Sequence, residues 1–290
     1  MTSLRQPDPF AHTLRRWRAS RRWSQLELAT RAGTTQRHLS FIEQGRSRPG
    51  RAIVLRFAET LGLTLRERNA LLAAAGFAPV YPESRLDAPT LRAPLGALRR
   101  ILDGHLPCPA VVVGPGGELV LANAALELLT EGAAPALLVP PVNVLRLALH
   151  PEGLARRVVN LRQWGQHVVE ALRARAQRSP EPRLDALVEE LQGYVPGAGA
   201  PDPEHLGFAV PLRLRAAGGE GELQLITTLT SFATAVDVTL AELHLEAFLP
   251  GDEATAEHLR WRAARARAVH GAAPDGRAPR EPGEEGRVTP

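Results

Sequence analysis

The side chains of this 290-residue chain that could do chemistry crowd its front. Residues 1–80 carry 14 arginines against five acids (Asp8, Glu27, Glu43, Glu59 and Glu67), a net of +9, while the remainder carries 21 arginines against 26 acids, a net of −5. A basic front on a mildly acidic body is either the footprint of a polyanion-binding domain joined to something else, or a solvated face without a partner. All 35 basic residues are arginine, a bias that fits the base composition of the coding DNA better than any chemistry. Within Gln25–Gln44, Ala29 is small where two helices must cross closely, Gly33 can make a turn, and Leu39 and Ile42 can seat a second helix. This is helix-turn-helix spacing; in that motif the second helix lies in the major groove and its first exposed side chains meet base edges. A helical hairpin unrelated to DNA shares the pattern.

Catalytic chemistry is poorly provided for. No phosphate-binding glycine loop opens a helix, because Gly114-Pro115-Gly116-Gly117 reads as a join between two strands. HExxH and GxSxG motifs are missing, and scattered pairs such as His150 and Asp185 have no diagnostic spacing. Cys108, the sole cysteine, lies between two prolines and reads as an inert buried thiol; alone it can form neither a disulfide nor a cysteine zinc cluster within one chain. The expectation is therefore a protein that is not an enzyme, with no catalytic residue, metal or cofactor. The richest apolar stretch, Ala133 to Leu149, is interrupted by Pro135, Pro140, Pro141, Asn143 and Arg146, and no membrane span is expected. A cytoplasmic, nucleoid-associated protein follows. With 44% hydrophobic and 23% charged residues, the chain has the composition and length of two ordinary globular domains.

The elements that must position the front are legible from local signals. Phe10, Leu14 and Trp17 share one face of a helix from Phe10 to Arg22. Ser24-Gln25-Leu26-Glu27 is a capping box that starts a short helix ending at Gly33. Thr35 can cap the next, Gln36 to Gln44, which stops at Gly45. The arginine-rich loop Arg46-Ser47-Arg48-Pro49 leads to helices near Arg51–Leu61 and Arg66–Ala75. Pro79, Pro82, Pro89 and Pro94 mark a linker with a short helix from Pro94 to Asp103. Beyond it, Ala110–Val113 and Glu118–Ala122 read as a hairpin. Asn123 can cap a helix to about Leu129, Pro151–Arg178 reads as one long amphipathic helix, and Arg183–Gln192 as another. Three strands are expected at Leu206–Arg215, Glu222–Ser231 and about Thr239–Leu249, the first two joined by a turn at Gly218-Gly219-Glu220-Gly221. In the last strand Leu243, Leu245 and Ala247 alternate with Glu242, His244 and Glu246. Asp252–Val269 should be a closing helix, and Gly271–Pro290 a disordered tail.

The front of the chain is recognisable. Ser24-Gln25-x-x-Leu28-Ala29-x-x-x-Gly33-Thr34-Thr35-Gln36, followed by Leu39-Ser40-x-Ile42-Glu43-x-Gly45, resembles the Cro/repressor-like (XRE) family over about residues 10–76. The resemblance implies a five-helix domain with Gln25 on a phosphate, and Gln36, Arg37 and Ser40 facing the groove. Arg37 is the leading candidate for sequence reading, because a guanidinium pairs bidentately with guanine O6 and N7. Phe41 either meets a thymine methyl or packs in the core. Arg46, Arg48 and Arg51 would grip the backbone from the loop, positioning without reading. Arg18 and Glu43 match a structural ion pair between helices in related repressors. Trp17 and Trp23 read as core, and His38 as a solvent-facing or phosphate-adjacent residue.

Behind the linker, Pro109-Ala110-Val111-Val112-Val113, Leu121-Ala122-Asn123, Asn143 to Pro151, Val158-Val159-Asn160 and Thr227 to Leu249 resemble the ligand-binding domain of MmyB-like regulators over about residues 105–250. That resemblance implies a pocket between sheet and helices for a small apolar or fatty-acid-like ligand. Leu145, Leu154, Val158, Leu161, Trp164, Leu225, Leu229 and Phe232 supply apolar surface that serves either a ligand or a plain core. Arg146 and His150 either meet a carboxylate head group or lie on the surface. The expected fold is multidomain: an all-α five-helix N-terminal helix-turn-helix domain (1–80), a proline-rich linker with a short helix (81–104), an α+β PAS-like C-terminal domain with an antiparallel sheet (105–250), a C-terminal helix (251–270) and the tail (271–290). The expected partners are a double-stranded DNA operator, the small ligand and a second copy in a homodimer. The alternative is a DNA-bound scaffold whose second domain is a protein-interaction or dimerisation module without a small-molecule site.

Overall fold

A computed structural model describes residues 9–178, 182–197, 209–216, 221–232 and 235–271. The front folds as five helices: α1 (Pro9–Ser20), α2 (Gln25–Arg31), α3 (Gln36–Glu43), α4 (Arg51–Thr60) and α5 (Leu65–Ala74). Their starts are set by the side chains expected to set them. The Ser24 hydroxyl accepts the Glu27 amide at 3.1 Å while the Glu27 carboxylate accepts the Ser24 amide at 3.0 Å, and Thr35 accepts the His38 amide at 3.1 Å. A second capping box, Thr64 with Glu67, starts α5 one residue earlier than expected. Gly33 and Gly45 take φ of +63° and +68°, a region that costs glycine nothing and lets each helix stop sharply. Phe10, Leu14, Leu28, Ala29, Leu39, Ile42, Val54, Phe57, Leu61, Leu71 and Leu72 form the closed core of this bundle, each at most 1% exposed.

After one turn of 3-10 helix at Pro89–Leu91, α6 (Arg92–Asp103) leads into a five-stranded sheet. The sheet comprises β1 (Ala110–Val113), β2 (Leu119–Ala122), β3 (Leu212–Arg215), β4 (Glu222–Ser231) and β5 (His244–Pro250). Its order is β2-β1-β5-β4-β3 with every neighbour antiparallel, the PAS-like arrangement. Between β2 and β3 the chain makes α7 (Glu127–Thr130), α8 (Val144–Leu149), α9 (Leu161–Arg178) and α10 (Pro182–Tyr194); α11 (Val238–Glu242) precedes β5 and α12 (Glu253–Gly271) follows it. One face of the sheet, with Val111, Val113, Leu212, Leu214, Leu223, Leu225 and Phe248, is buried with Leu149, Leu154, Trp164, Leu172, Leu187 and Leu191. The other, with Ala110, Val112, Leu245 and Ala247, packs on Leu98 and Leu102 of α6.

Several local expectations are overturned, each by a polar side chain that bonds the backbone. The long helix expected from Pro151 is broken: Leu154–Arg157 is a single 3-10 turn, Val158 bridges to Leu214, and α9 begins only at Leu161. Asn160 makes the break, its buried amide donating to Pro211 O at 2.8 Å and accepting the Arg213 amide at 3.1 Å. The strand expected from Thr239 begins at His244, because Asp237 accepts the amides of Thr239 and Leu240 and caps α11. Asn123 does not cap a helix with its side chain. It accepts the Ala110 amide at 3.1 Å and donates to Leu102 O and Cys108 O at 3.0 and 2.9 Å, tying α6 to the start of β1. Helix α8, unexpected behind Pro140-Pro141, is capped by Asn143, which accepts the Leu145 and Arg146 amides. Residues 206–208, the turn residues 218–220 and nearly all of the expected tail, 272–290, lie outside the described residues.

Candidate nucleic-acid interface and ligand face

Leu39 and Ile42 seat α3 in the bundle, so its opposite side faces outward. Gln36 and Arg37 are exposed at its first turn, and Ser40 and Phe41 are half-buried one turn on. The Arg37 guanidinium lies over the Phe41 ring, 5.3 Å from its centroid, which holds the arginine along the helix surface. Ser40 accepts Gln44 Nε2 at 2.9 Å. His38, half-buried rather than free in solvent, meets the Thr34 hydroxyl at 3.0 Å through Nδ1. Arg46, Arg48 and Arg51 are exposed around buried Pro49, forming a cationic rim beside the second half of α3.

The orientation of α3 is set by Glu43, which is only 2% exposed. Arg18 Nε and Nη2 donate to its two carboxylate oxygens at 2.7 and 2.9 Å, and Gln25 Nε2 donates at 2.8 Å. Arg18 Nη1 also donates to Trp23 O at 2.8 Å, and Arg15 Nη2 to Glu43 O at 2.6 Å. The hydrogen bond to Glu43 raises the Arg18 pKa above its ordinary value, so the guanidinium keeps its charge. α1, α2 and α3 thus share one buried charged hub. The Gln25 amide, assigned to a phosphate by resemblance, is directed at this hub in the free protein. Sequence reasoning missed Arg15 and also Arg56, whose Nη1 lies 3.4 Å from Ala32 O and Gly33 O and backs the turn between α2 and α3. Neither has a local sequence signal, because each partner lies more than twenty residues away.

On the sheet domain, the structure divides the apolar set. Leu154, Val158, Trp164 and Leu225 are buried together, with Leu145 and Leu161 packed at the edge of the same cluster. Leu229 lies on the same face farther along β4, 63% exposed, and Phe232 packs on the opposite face near Leu98 and Leu240. Arg146 is paired within the protein: its Nε and Nη2 donate to the Glu190 carboxylate, both at 2.7 Å, joining α8 to α10. This pairing holds the Glu190 carboxyl below the usual carboxylate range. Tyr194 Oη donates to the same carboxylate at 3.1 Å, and its ring stands edge-on to His150 at 4.9 Å. The cluster is a brace between helices.

The polar residues of β5 were legible as an alternating set, and the pairing of β5 with β1 assigns them a face. Glu246 pairs with Val111 and His244 with Val113, so both face the helix-covered side. Burial pushes the Glu246 carboxyl up and the His244 imidazole down, and Arg175 of α9 is the charged neighbour of both. With exposed Thr227 and Ser231 of β4 they make the polar end of an otherwise apolar face, beside exposed Leu229. Among the described residues no group of three His, Cys, Asp or Glu side chains could hold a metal ion, and no helix is long and apolar enough to cross a membrane.

A family model described as MmyB-like transcription regulator ligand binding domain matches residues 96–261, and one described as helix-turn-helix domain matches residues 9–71. No curated protein matches the chain. A solved structure titled "Structure of an RNA-binding Light-Oxygen-Voltage Receptor" is 16% identical, aligned over 91% of this chain and 65% of that one with a TM-score of 0.25. This chain therefore spans just under two thirds of that structure's length, and a similarity at this score carries no argument.

Proposed function

The chain belongs to the family of the MmyB-like transcription regulator ligand binding domain, here behind a helix-turn-helix domain, and from that premise we propose a sequence-specific DNA-binding regulator that senses a small, apolar or fatty-acid-like ligand. The observation that carries the DNA half is the pairing of a seated α3, with Gln36 and Arg37 exposed at its first turn, and the exposed rim Arg46, Arg48 and Arg51. Base edges are read by the former and phosphates held by the latter. One short helix reads few base pairs, so two copies on two half-sites supply the specificity, and a symmetric dimer follows. The ligand half is supported by a helix-packed sheet face that is apolar at one end and carries His244, Glu246, Thr227 and Ser231 at the other, a surface suited to a ligand with one polar end. A ligand that prefers one arrangement of the paired domains shifts the population competent for the operator.

The two kinds of arginine give a direct test against a duplex obtained by selection from random sequence. Arg37→Ala is expected to lose about 1–3 kcal/mol on the selected site and to relax preference at one position. Arg48→Ala should weaken selected and random duplex alike and make the salt dependence of binding shallower. Titrations at several salt concentrations distinguish the two patterns; equal losses for Arg37→Ala on both duplexes would reject base reading. Native mass spectrometry of the purified protein tests the ligand half, where a co-purifying lipid-sized mass is the expected result and an empty domain that binds no fatty acid on titration would reject it.

A further inference from the structure

Between the two domains, α5, the linker and α11 are joined by a run of polar bonds. Arg66 of α5 donates from Nε and Nη2 to Glu242, the last residue of α11, at 2.6 and 2.9 Å, and its Nη2 lies 2.8 Å from Glu83 in the linker. One helical turn along α5, Asn69 clasps the linker backbone: Oδ1 accepts the amides of Val80 and Tyr81 at 3.0 and 3.1 Å, and Nδ2 donates to Tyr81 O at 2.7 Å. The same strap is then bound from the sheet domain. The Val238 amide donates to Pro82 O at 2.8 Å, the Thr239 hydroxyl to Ser84 O at 2.7 Å, and the Ser84 amide to Asp237 Oδ2 at 3.2 Å. Asp237, 5% exposed, caps α11 with its other oxygen, so helix cap and strap share one carboxylate.

We propose that Arg66 and the strap Pro82–Ser84 form a latch that fixes the DNA-binding domain against the sensor domain and carries movements of α11 to α5; its regulatory meaning rests on the reading above. An open cleft of about 210 Å³ lies between the domains beside Arg66, lined by Leu63, Phe232, Val238 and Ala241, and a second, of about 720 Å³, lies between α5 and the linker. The seam thus holds an open cleft beside its polar bonds, and a domain interface of this kind permits relative motion once those bonds are released. The pairing with Glu242 and Glu83 raises the Arg66 pKa, so the latch stays charged and responds to salt, not to physiological pH. The route from the sensor is short. Only Leu243 separates Glu242 from His244, which faces the helix-covered side of the sheet, so a shift of β5 reaches the Arg66 pair within two residues.

The test is the distance between spin labels on the two domains, placed at exposed Thr30 of α2 and Gln166 of α9 in the full chain with Cys108→Ala. The parent is expected to show one narrow distribution at low salt. Arg66→Ala, Glu242→Gln and roughly 1 M salt, which screens exposed charge pairs, should each broaden it. Thr239→Val, which leaves Arg66 untouched and removes only the bond to Ser84, should broaden it as well. Arg85→Ala, whose bonds are to Asp87, is the control and should change nothing. Distributions as narrow as the parent's in Arg66→Ala and Glu242→Gln would overturn the latch, and a narrow one in Thr239→Val alone would overturn the transmission through α11. The measurement needs no DNA, so a failure to bind duplex sinks the regulator reading and leaves this result intact.

Discussion

Glu43→Ala is expected to cost the helix-turn-helix domain about 3–5 kcal/mol, the range for removing one partner of a buried ion pair and stranding the other. Arg18 would keep its charge with only 15% of its side chain exposed and would lose both carboxylate bonds, and Gln25 would lose its acceptor. Because the hub joins α1, α2 and α3, the loss is expected to reach function through geometry: α3 loses its fixed angle, and affinity for every duplex falls. Glu43→Gln, which preserves volume and one carbonyl acceptor, should cost clearly less. Replacing both partners by apolar residues of similar size should recover much of the loss, since buried pairs are often matched by packing. Denaturant titration gives the size of the effect, and hydrogen exchange at the α1–α3 amides gives its place. A loss below about 1 kcal/mol would mean that the pair is no more than a surface bridge.

Asn123→Ala is expected to cost the sheet domain about 2–4 kcal/mol, because each buried backbone group left unpaired costs about 1–3 kcal/mol. Asn123 is 4% exposed and serves three such groups. Leu102 O retains the His105 amide, so the penalty falls on the Ala110 amide and Cys108 O. Asn123→Asp keeps the acceptor for Ala110 but loses both donors and buries a charge, and should be at least as damaging. Thermal unfolding of the pair of variants, with exchange at the Ala110 amide as a local reporter, checks the account. An Asn123→Ala protein as stable as the parent, or an unprotected Ala110 amide in the parent, would reject it.

The bundle was legible in the sequence and the sheet domain only in outline, and the difference is one of distance along the chain. Ser24 with Glu27, Thr35 with His38, and the glycines at 33 and 45 act within a few residues, so the sequence by itself determined where α2 and α3 begin and end. The same local logic failed at Asn123 and Asn160, read as a cap and a helix interior, and it gave Asp237 no role ahead of a strand expected from Thr239. Their partners lie 13 to 21, 51 to 53 and, for Asp237 with Ser84, 153 residues away. Alternation along β5 was visible, but which set faces the helices was decided by pairing with β1 and by α6 covering the other side. Arg146 was read as a head-group contact or a surface group, with no sign of Glu190 on α10, and nothing local paired Arg66 with Glu242, 176 residues away. Local hydrogen bonding and hydrophobic period belong to the sequence. Where a buried polar group finds its partner is set by which distant segments the core brings together, and only the tertiary structure decides that.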